Sequence, residues 1–271
     1  MKSGFWKTDW FLGAVVVIVV LVFNRSSDLI PSLERKAYDL GVQATSRTPS
    51  DKIAVIAIDD TSIANIGRWP WSREVHAKMT DLLAGAKAKV IGNTVFFSEA
   101  QVDPGYVYIT KLLDIAQKPA APAAEGAAPA PVADNSQIVN LLKEAEQQLN
   151  TDRRLSESYA KAGNVLLPML FNLGEPRGKP DKPLPDFVQK NAVAGQGNQD
   201  SPPLPTSAVQ FPIEQLGKSV AALGHLNANP DVDGGVRTEP LVLQYFDKLY
   251  PSLSMMLAAK SLNLAPADIK V

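Results

Sequence analysis

The chain contains no cysteine and only two histidines among its 271 residues. Without cysteine it can form no disulfide, no thiolate zinc site, no iron–sulfur cluster and no thiol nucleophile. The lack of disulfides does not fix the compartment, because an extracytoplasmic domain of this size can fold without them.

An excess of charge of one sign is also lacking, since 27 Lys and Arg residues stand against 28 Asp and Glu residues. Proteins that bind nucleic acid usually carry a basic stripe, so we expect no nucleic-acid partner. Apolar residues make up 45% of the chain, which is enough for the core of one large domain or of two modest ones.

Long hydrophobic runs are lacking except for one, Trp10 to Phe23 (WFLGAVVVIVVLVF). As a helix this run reaches about 21 Å, which is short of a hydrocarbon core of roughly 30 Å. Extending the span back to Phe5 closes most of the gap and leaves Lys2 and Lys7 on the cytoplasmic side. We therefore expect residues 1–28 to form a cytoplasmic N-terminus and a transmembrane anchor.

A cleaved secretory signal and a buried core helix are the alternatives for this run. Signal cleavage needs small residues shortly after the apolar stretch, and only Ser26 and Ser27 fit, loosely. Both membrane interpretations place the rest of the chain outside the cytoplasm.

Hydrophobic periodicity predicts an α/β fold in the residues that follow. Apolar residues spaced by three or four predict an amphipathic helix over Pro31 to Thr45. The β-branched runs 53–58 (IAVIAI) and 89–97 (KVIGNTVFF) predict two buried strands, and helical spacing after Ser72 predicts a helix between them. A strand, a helix and a strand at this spacing predict a βαβ unit within a mixed sheet.

Two stretches interrupt this pattern. The alanine- and proline-rich tract 117–134 predicts a solvated insertion, and the proline-rich stretch 172–212 predicts a loop that is disordered in part. Pro168 predicts that its strand lies at an edge or carries a bulge. The other expected elements are a helix over 136–162, a strand over 164–171, strands over 221–227 and 236–246 joined by a turn, and a helix over 252–263.

The segment Asp59 to His76 (DDTSIANIGRWPWSREVH) carries a resemblance to a known family. Further matching fragments follow it in order: Val90-Ile91-Gly92, Phe97-Ser98-Glu99, Gly224-His225-Leu226-Asn227, Asp231-Val232-Asp233-Gly234 and Tyr250-Pro251-Ser252-Leu253. Together with the N-terminal hydrophobic run, they make the chain resemble the second family of CHASE-type extracellular sensory domains, which occur in bacterial transmembrane signalling proteins. The resemblance covers nearly the whole chain.

The resemblance implies a membrane-anchored sensor with its sensory domain over residues 29–271. It implies a single-pass protein of the bacterial inner membrane with the bulk of the chain periplasmic or extracellular, no catalysis and no cofactor. We expect an unidentified small-molecule or protein ligand, and a homodimer formed through the anchor and the helix over Pro31 to Thr45. The family's domain normally continues beyond Tyr250-Pro251, so we expect this one to be incomplete at its C-terminus. Members commonly carry an aspartate where this chain has Thr94.

The segment Gly67 to Arg73 is the first candidate for ligand binding, because it lies between a predicted strand and a predicted helix. Trp69 and Trp71 straddle a proline, and the arginines could stack on an indole or bind an anion at the helix start. The candidate ligand-binding residues are Arg68, Trp69, Trp71, Arg73, His76 and Asp60. The alternative is that the tryptophans pack in the core and the arginines pair on the surface.

Carboxylates allow a rival function, an extracytoplasmic metal-dependent hydrolase built on Asp59, Asp60 and Asp233. Turn chemistry alone explains Asp231 and Asp233, so we expect no metal site. A third possibility is a non-catalytic interaction scaffold. His76 and His225 are expected to be satisfied, partly buried histidines and not ligands or bases.

Overall fold

The computed structural model describes residues 8–117, 136–180, 182–195 and 202–270. The chain divides into two compact units, Met1–Ile63 and Ala64–Val271, and each is described by itself. The predicted insertion lies outside the described residues except for Gln117, which ends a helix.

The first unit contains two helices, α1 (Asp9–Ser26) and α2 (Leu29–Ala44), and the start of α3 (Asp60–Ile66). The amphipathic helix predicted over Pro31 to Thr45 is confirmed by α2, none of whose residues is buried. Among the helices of the described residues, none combines the length and the apolar character that crossing a membrane requires.

The strand predicted over residues 53–58 is wrong. These residues form neither helix nor strand, and the side chains of Ile53 and Val55 are 74% and 88% exposed. A β-branched run becomes a strand only when a neighbouring strand supplies hydrogen bonds, and in the described part of the chain this run pairs with none. The βαβ unit predicted from it is therefore also wrong.

The second unit surrounds a sheet with helices. Its helices are α4 (Arg73–Gly85), α5 (Pro104–Gln117), α6 (Ser136–Leu149), α7 (Thr151–Ala162), α8 (Asp186–Gln189), α9 (Glu214–Ser219) and α10 (Leu253–Ser261). The single helix predicted over 136–162 is two helices, because the Asn150 side chain accepts a hydrogen bond from the Arg153 N–H and starts α7 as its cap.

The sheet is mixed, as predicted. Its strands are β1 (Ile91–Gly92), β2 (Val165–Leu173), β3 (Leu204–Gln210), β4 (Ala222–His225), β5 (Val242–Tyr245) and β6 (Lys248–Pro251). The order is β1-β2-β3-β5-β6, with β4 also paired to β2. The β1/β2, β2/β4 and β3/β5 pairs are parallel, whereas β2/β3 and β5/β6 are antiparallel.

The predictions about the later strands are confirmed in part. Pro168 is not at an edge, but the alternative prediction, a bulge in its strand, agrees with the register shift of β2 between Asn172 and Leu173. Pro168 lies after the hydrogen bond from the Asn93 N–H to the Leu166 carbonyl (3.0 Å), on the β1 side, and before pairing with β3 begins at Leu170. No ladder donor is needed in that gap, so proline fits there. The two strands predicted over 221–227 and 236–246 are present as β4 and β5, and β5 pairs with β3 and β6. The proline-rich stretch is not a continuous loop, because it contains α8 and β3.

The strands alternate between two apolar clusters. Val165, Leu167, Met169 and Phe171 of β2 face one cluster together with Leu155 and Tyr159 of α7. Leu166 faces the other, with Leu253 and Met256 of α10. A Cβ on Gly224 of β4 would lie 2.6 Å from the Cα of Leu253, so only glycine lets α10 begin this close to the sheet.

Candidate functional site

Four aromatic rings gather where the chain enters α4. Trp69 lies 5.4 Å from Trp71 and 5.9 Å from His76 between ring centroids, and His76 lies 5.2 Å from Phe97. Phe97 follows β1, so the rings sit beyond the carboxyl end of a strand that is parallel to its neighbour. Open α/β sheets commonly bind ligands in this position.

The two tryptophans have different environments, although both are half-buried. The Trp71 indole N–H donates a 2.7 Å hydrogen bond to the Gly67 carbonyl and closes the loop on itself. The Trp69 indole N–H has no such partner among the described residues, and the Trp69–Pro70 peptide bond is cis. The Trp71 ring is therefore held within the loop, whereas the indole N–H of Trp69 is free to donate a hydrogen bond to a ligand.

Arg73 holds the site together. Its Nε donates to Asp152 Oδ1 (3.0 Å), its Nη2 donates to the Glu99 carbonyl (2.7 Å), and its guanidinium lies 4.4 Å above the Phe97 ring. The Gln101 N–H also donates to Asp152, at 2.8 Å. These contacts make Arg73 a positioning residue, and direct ligand contact by it stays a prediction.

His76 is neutral at physiological pH. The residue is 8% exposed, and burial, aided by the positive charge of Arg73, lowers its pKa to about 4. Its ring contacts Trp69 and Phe97, but its nitrogens form no hydrogen bond with the described part of the chain. Neither nitrogen of His76 is among the buried polar atoms that lack a partner in the described residues, so a satisfied histidine stays the prediction for His76, and its burial was expected.

The remaining candidates are exposed. Arg68 forms no hydrogen bond or ion pair with any residue that the structure describes, so its guanidinium is available to a ligand. Asp60 stands in the first turn of α3 and belongs to the first unit. A role for either residue in binding stays a prediction.

Two of the three carboxylates of the rival hydrolase, Asp59 and Asp233, have other partners. Two hydrogen bonds from Ser62 hold the pKa of Asp59 below its usual value. Asp231 and Asp233 both pair with Arg237, at 2.7 and 2.9 Å. Within the described ranges, no group of three or more histidine, aspartate or glutamate side chains is placed to hold a metal ion.

The environments of several polar residues near the sheet were not predicted from the sequence. The Asn227 side-chain amide accepts a hydrogen bond from the Phe171 N–H (2.9 Å) and donates one to the Phe171 carbonyl (2.7 Å). Asn227 therefore continues the contact with β2 beyond the end of β4. Among the described residues, Nε2 of His225 and the hydroxyl of Tyr250 are buried without hydrogen-bond partners, so the prediction that His225 is a satisfied histidine is wrong. Burial lowers the pKa of His225 to about 4 and raises that of Tyr250 to about 12.

Comparison with known proteins identifies the family. A family model described as the CHASE2 domain matches residues 14–271, which is nearly the whole chain. The chain belongs to the CHASE2 family. CHASE2 domains are sensory domains, so this chain is a sensor module for signal transduction. No curated protein and no solved structure in the comparisons matches it.

The two tryptophans of this CHASE2 domain should respond differently to truncation. Trp71→Ala removes the bond to Gly67 together with two ring contacts, and we expect it to cost about 3 kcal/mol of unfolding free energy. Trp69→Ala should cost at most about 1 kcal/mol, because we place this ring at the wall of the ligand site. Urea unfolding of the two variants measures both costs, and an equally large loss in both would remove Trp69 from the site.

Proposed function

We propose that this CHASE2 domain is the extracytoplasmic input domain of a membrane-anchored bacterial receptor. In the proposal α1 is the core of a single-pass anchor in the inner membrane, and the bulk of the chain lies in the periplasm. The chain itself has no catalytic role in this proposal and uses no cofactor.

The observation that supports the anchor most is the surface of α1. Its apolar side chains are exposed on every side, with Trp10, Val16 and Leu21 each above 60% exposure. A helix that is apolar all round belongs either in a core or in a membrane. The proposed span begins at Phe5, outside the described residues, and Lys2 and Lys7 support a cytoplasmic start of the span by the positive-inside rule.

The ligand in this proposal is a small molecule or a protein segment that binds beside Trp69. The half-buried Trp69, the unpaired Arg68 and the buried ring of His76 would contact it, with Trp71 and Arg73 holding the surface in shape. Asp60 is the remaining candidate. An indole and a guanidinium together suit a ligand that is flat or anionic.

A homodimer through α1 and α2 would carry the signal. The predicted stripe of α2 includes Leu33 and Leu40, which are 57% and 66% exposed, and no α2 residue is buried. An amphipathic helix with an uncovered apolar stripe is the element that pairs with a second copy.

Single cysteines in α2 test the dimer, since the native chain has no cysteine to interfere. In membranes containing the full chain, Leu33→Cys should form a disulfide-linked dimer in high yield under mild oxidation. Val42→Cys is the matched control, because Val42 is also exposed (55%) but lies on the opposite face of the helix. Cross-linking that is absent at Leu33, or equal at both positions, would contradict the dimer through this stripe.

A further inference from the structure

Helices α4 and α7 enclose a groove on the outer side of the second unit. They run in the same direction, because ion pairs join their first turns: Arg73 to Asp152 at 3.0 Å and Arg154 to Glu74 at 3.1 Å. The groove between them has a volume of about 390 Å³. Pockets for small molecules have volumes of about 300 to 1,000 Å³, so this one is large enough for a small ligand.

Small side chains form the floor of this groove. Ala77 of α4 is 6% exposed and Ser158 of α7 is 8% exposed, and both line the groove. The Ser158 hydroxyl has no hydrogen-bond partner in the part of the chain that the structure describes. The hydroxyl oxygen is not among the fully buried polar atoms that lack a partner, so it is accessible from the groove and offers a hydrogen-bonding group to whatever occupies it.

Besides the Glu74–Arg154 ion pair at the end of the groove, the walls carry two charges of each sign. Lys78 and Asp81 come from α4, and Glu157 and Lys161 come from α7. These four side chains form no ion pair or hydrogen bond with the described residues, in contrast to Glu74 and Arg154 at the end of the groove. On each helix the lining residues recur at positions i, i+3, i+4 and i+7, which places them on one face.

This balance of charge selects the ligand class. A simple anion would meet Asp81 and Glu157, and a simple cation would meet Lys78 and Lys161, so neither is favoured. A small molecule with one charge of each sign can pair with both sets. Apart from the Ala77 methyl group, the groove has no apolar side chain that would attract a hydrophobic ligand.

We propose that the α4–α7 groove binds a free α-amino acid or a zwitterion of the same size. The ammonium group pairs with Asp81 and Glu157, the carboxylate pairs with Lys78 and Lys161, and the Ser158 hydroxyl hydrogen-bonds the ligand from the floor. This binding goes beyond the proposed receptor function, since it requires neither the membrane anchor nor the dimer. Its failure would leave the dimer and topology experiments unaffected.

Calorimetric titration of the full chain in detergent micelles near neutral pH tests the proposal. The probes are glycine and L-glutamine, with N-acetylglycine and glycinamide as analogues that keep only the carboxylate or only the ammonium group. We expect saturable binding of the zwitterions with a Kd of about 1 mM or lower and at least tenfold weaker binding of both analogues. Failure of both zwitterions to bind, or equal binding of either analogue, overturns the proposal.

Variants of the groove complete the test. Lys161→Gln, Asp81→Asn and Ser158→Ala should each weaken binding by about tenfold while leaving the circular dichroism spectrum unchanged. Lys190→Gln, at an exposed lysine that does not line the groove, should bind like the native chain. Unchanged binding in all three groove variants overturns the proposal. Loss of a dimer in these variants, seen by light scattering, also overturns it and assigns the groove to a second copy.

Discussion

Asp152→Ala should lower the free energy of unfolding by about 3–5 kcal/mol. The carboxylate is 6% exposed and accepts hydrogen bonds from the Arg73 guanidinium and the Gln101 N–H. Removing it leaves the half-buried Arg73 guanidinium without its carboxylate partner. The loop that contains Gln101 also loses its hydrogen bond to α7. Losing one partner of such a pair costs far more than the pair itself contributes, because the remaining charge stays desolvated.

Urea unfolding followed by circular dichroism measures this effect. Asp152→Asn keeps an acceptor for the Gln101 N–H but carries no charge, so we expect its loss of unfolding free energy to be intermediate. Glu214→Ala is the control: its partner Lys218 lies four residues away on the exposed surface of α9, and that variant should unfold like the native chain. A loss for Asp152→Ala no larger than that of the control would mean that the Arg73–Asp152 pair does not hold the site.

Acidification from about pH 7 to about pH 5 should lower the unfolding free energy by about 2 kcal/mol for each histidine. Burial lowers the pKa of both His76 and His225 from 6.5 to about 4, so the unfolded chain takes up protons in this range while the folded chain does not. Stability is therefore fully present above pH 6.5 and falls as the pH drops towards 4. Carboxylates with lowered pKa values, such as Glu146 beside Arg153, change the unfolding free energy only below this pH range.

Unfolding midpoints across the pH range test the origin of this dependence. The double variant His76→Gln/His225→Gln should be less sensitive to pH than the native chain, whatever its stability at neutral pH. A native chain whose stability is flat between about pH 7 and about pH 5, or a double variant with the native slope, would contradict the assignment.

Local signals predicted several of the helices, because helix boundaries depend on neighbouring residues, but α3, α5, α8 and α9 were not predicted. The α2 stripe and the start of α4 after Ser72 were predicted from spacing and a cap residue, and the helix predicted over 252–263 is α10. The break at Asn150 was missed because the apolar spacing continues across it, although asparagine before an acidic first turn is a capping signal.

Strands were predicted less well, because their partners are distant in sequence. The run 53–58 has strong β propensity and yet no partner strand, whereas β3 begins with Leu204-Pro205 and pairs with both β2 and β5. The β propensity of a segment shows that its side chains suit a half-buried pleated surface. It does not show whether a neighbouring strand is available to pair with that segment.

The candidate site was predicted only in part, because some of its residues are distant from one another in sequence. The tryptophans, Arg73 and His76 lie in one continuous motif, and the structure gathers them around Phe97. Asp152 is 79 residues from its partner Arg73, and nothing in the local sequence links the two. The groove between α4 and α7 combines two stripes that are each ordinary as sequence.

Thiol labelling of spheroplasts tests the central claim of the proposal, that the sensory domain lies outside the cytoplasm behind a membrane anchor. Because the chain has no cysteine, a single cysteine reports one position. Val232, 83% exposed, serves for the domain, and Lys2 serves for the N-terminus. With a membrane-impermeant maleimide on spheroplasts, Val232→Cys should be labelled at once and Lys2→Cys only after permeabilisation. Labelling of Val232→Cys that requires permeabilisation would contradict the account.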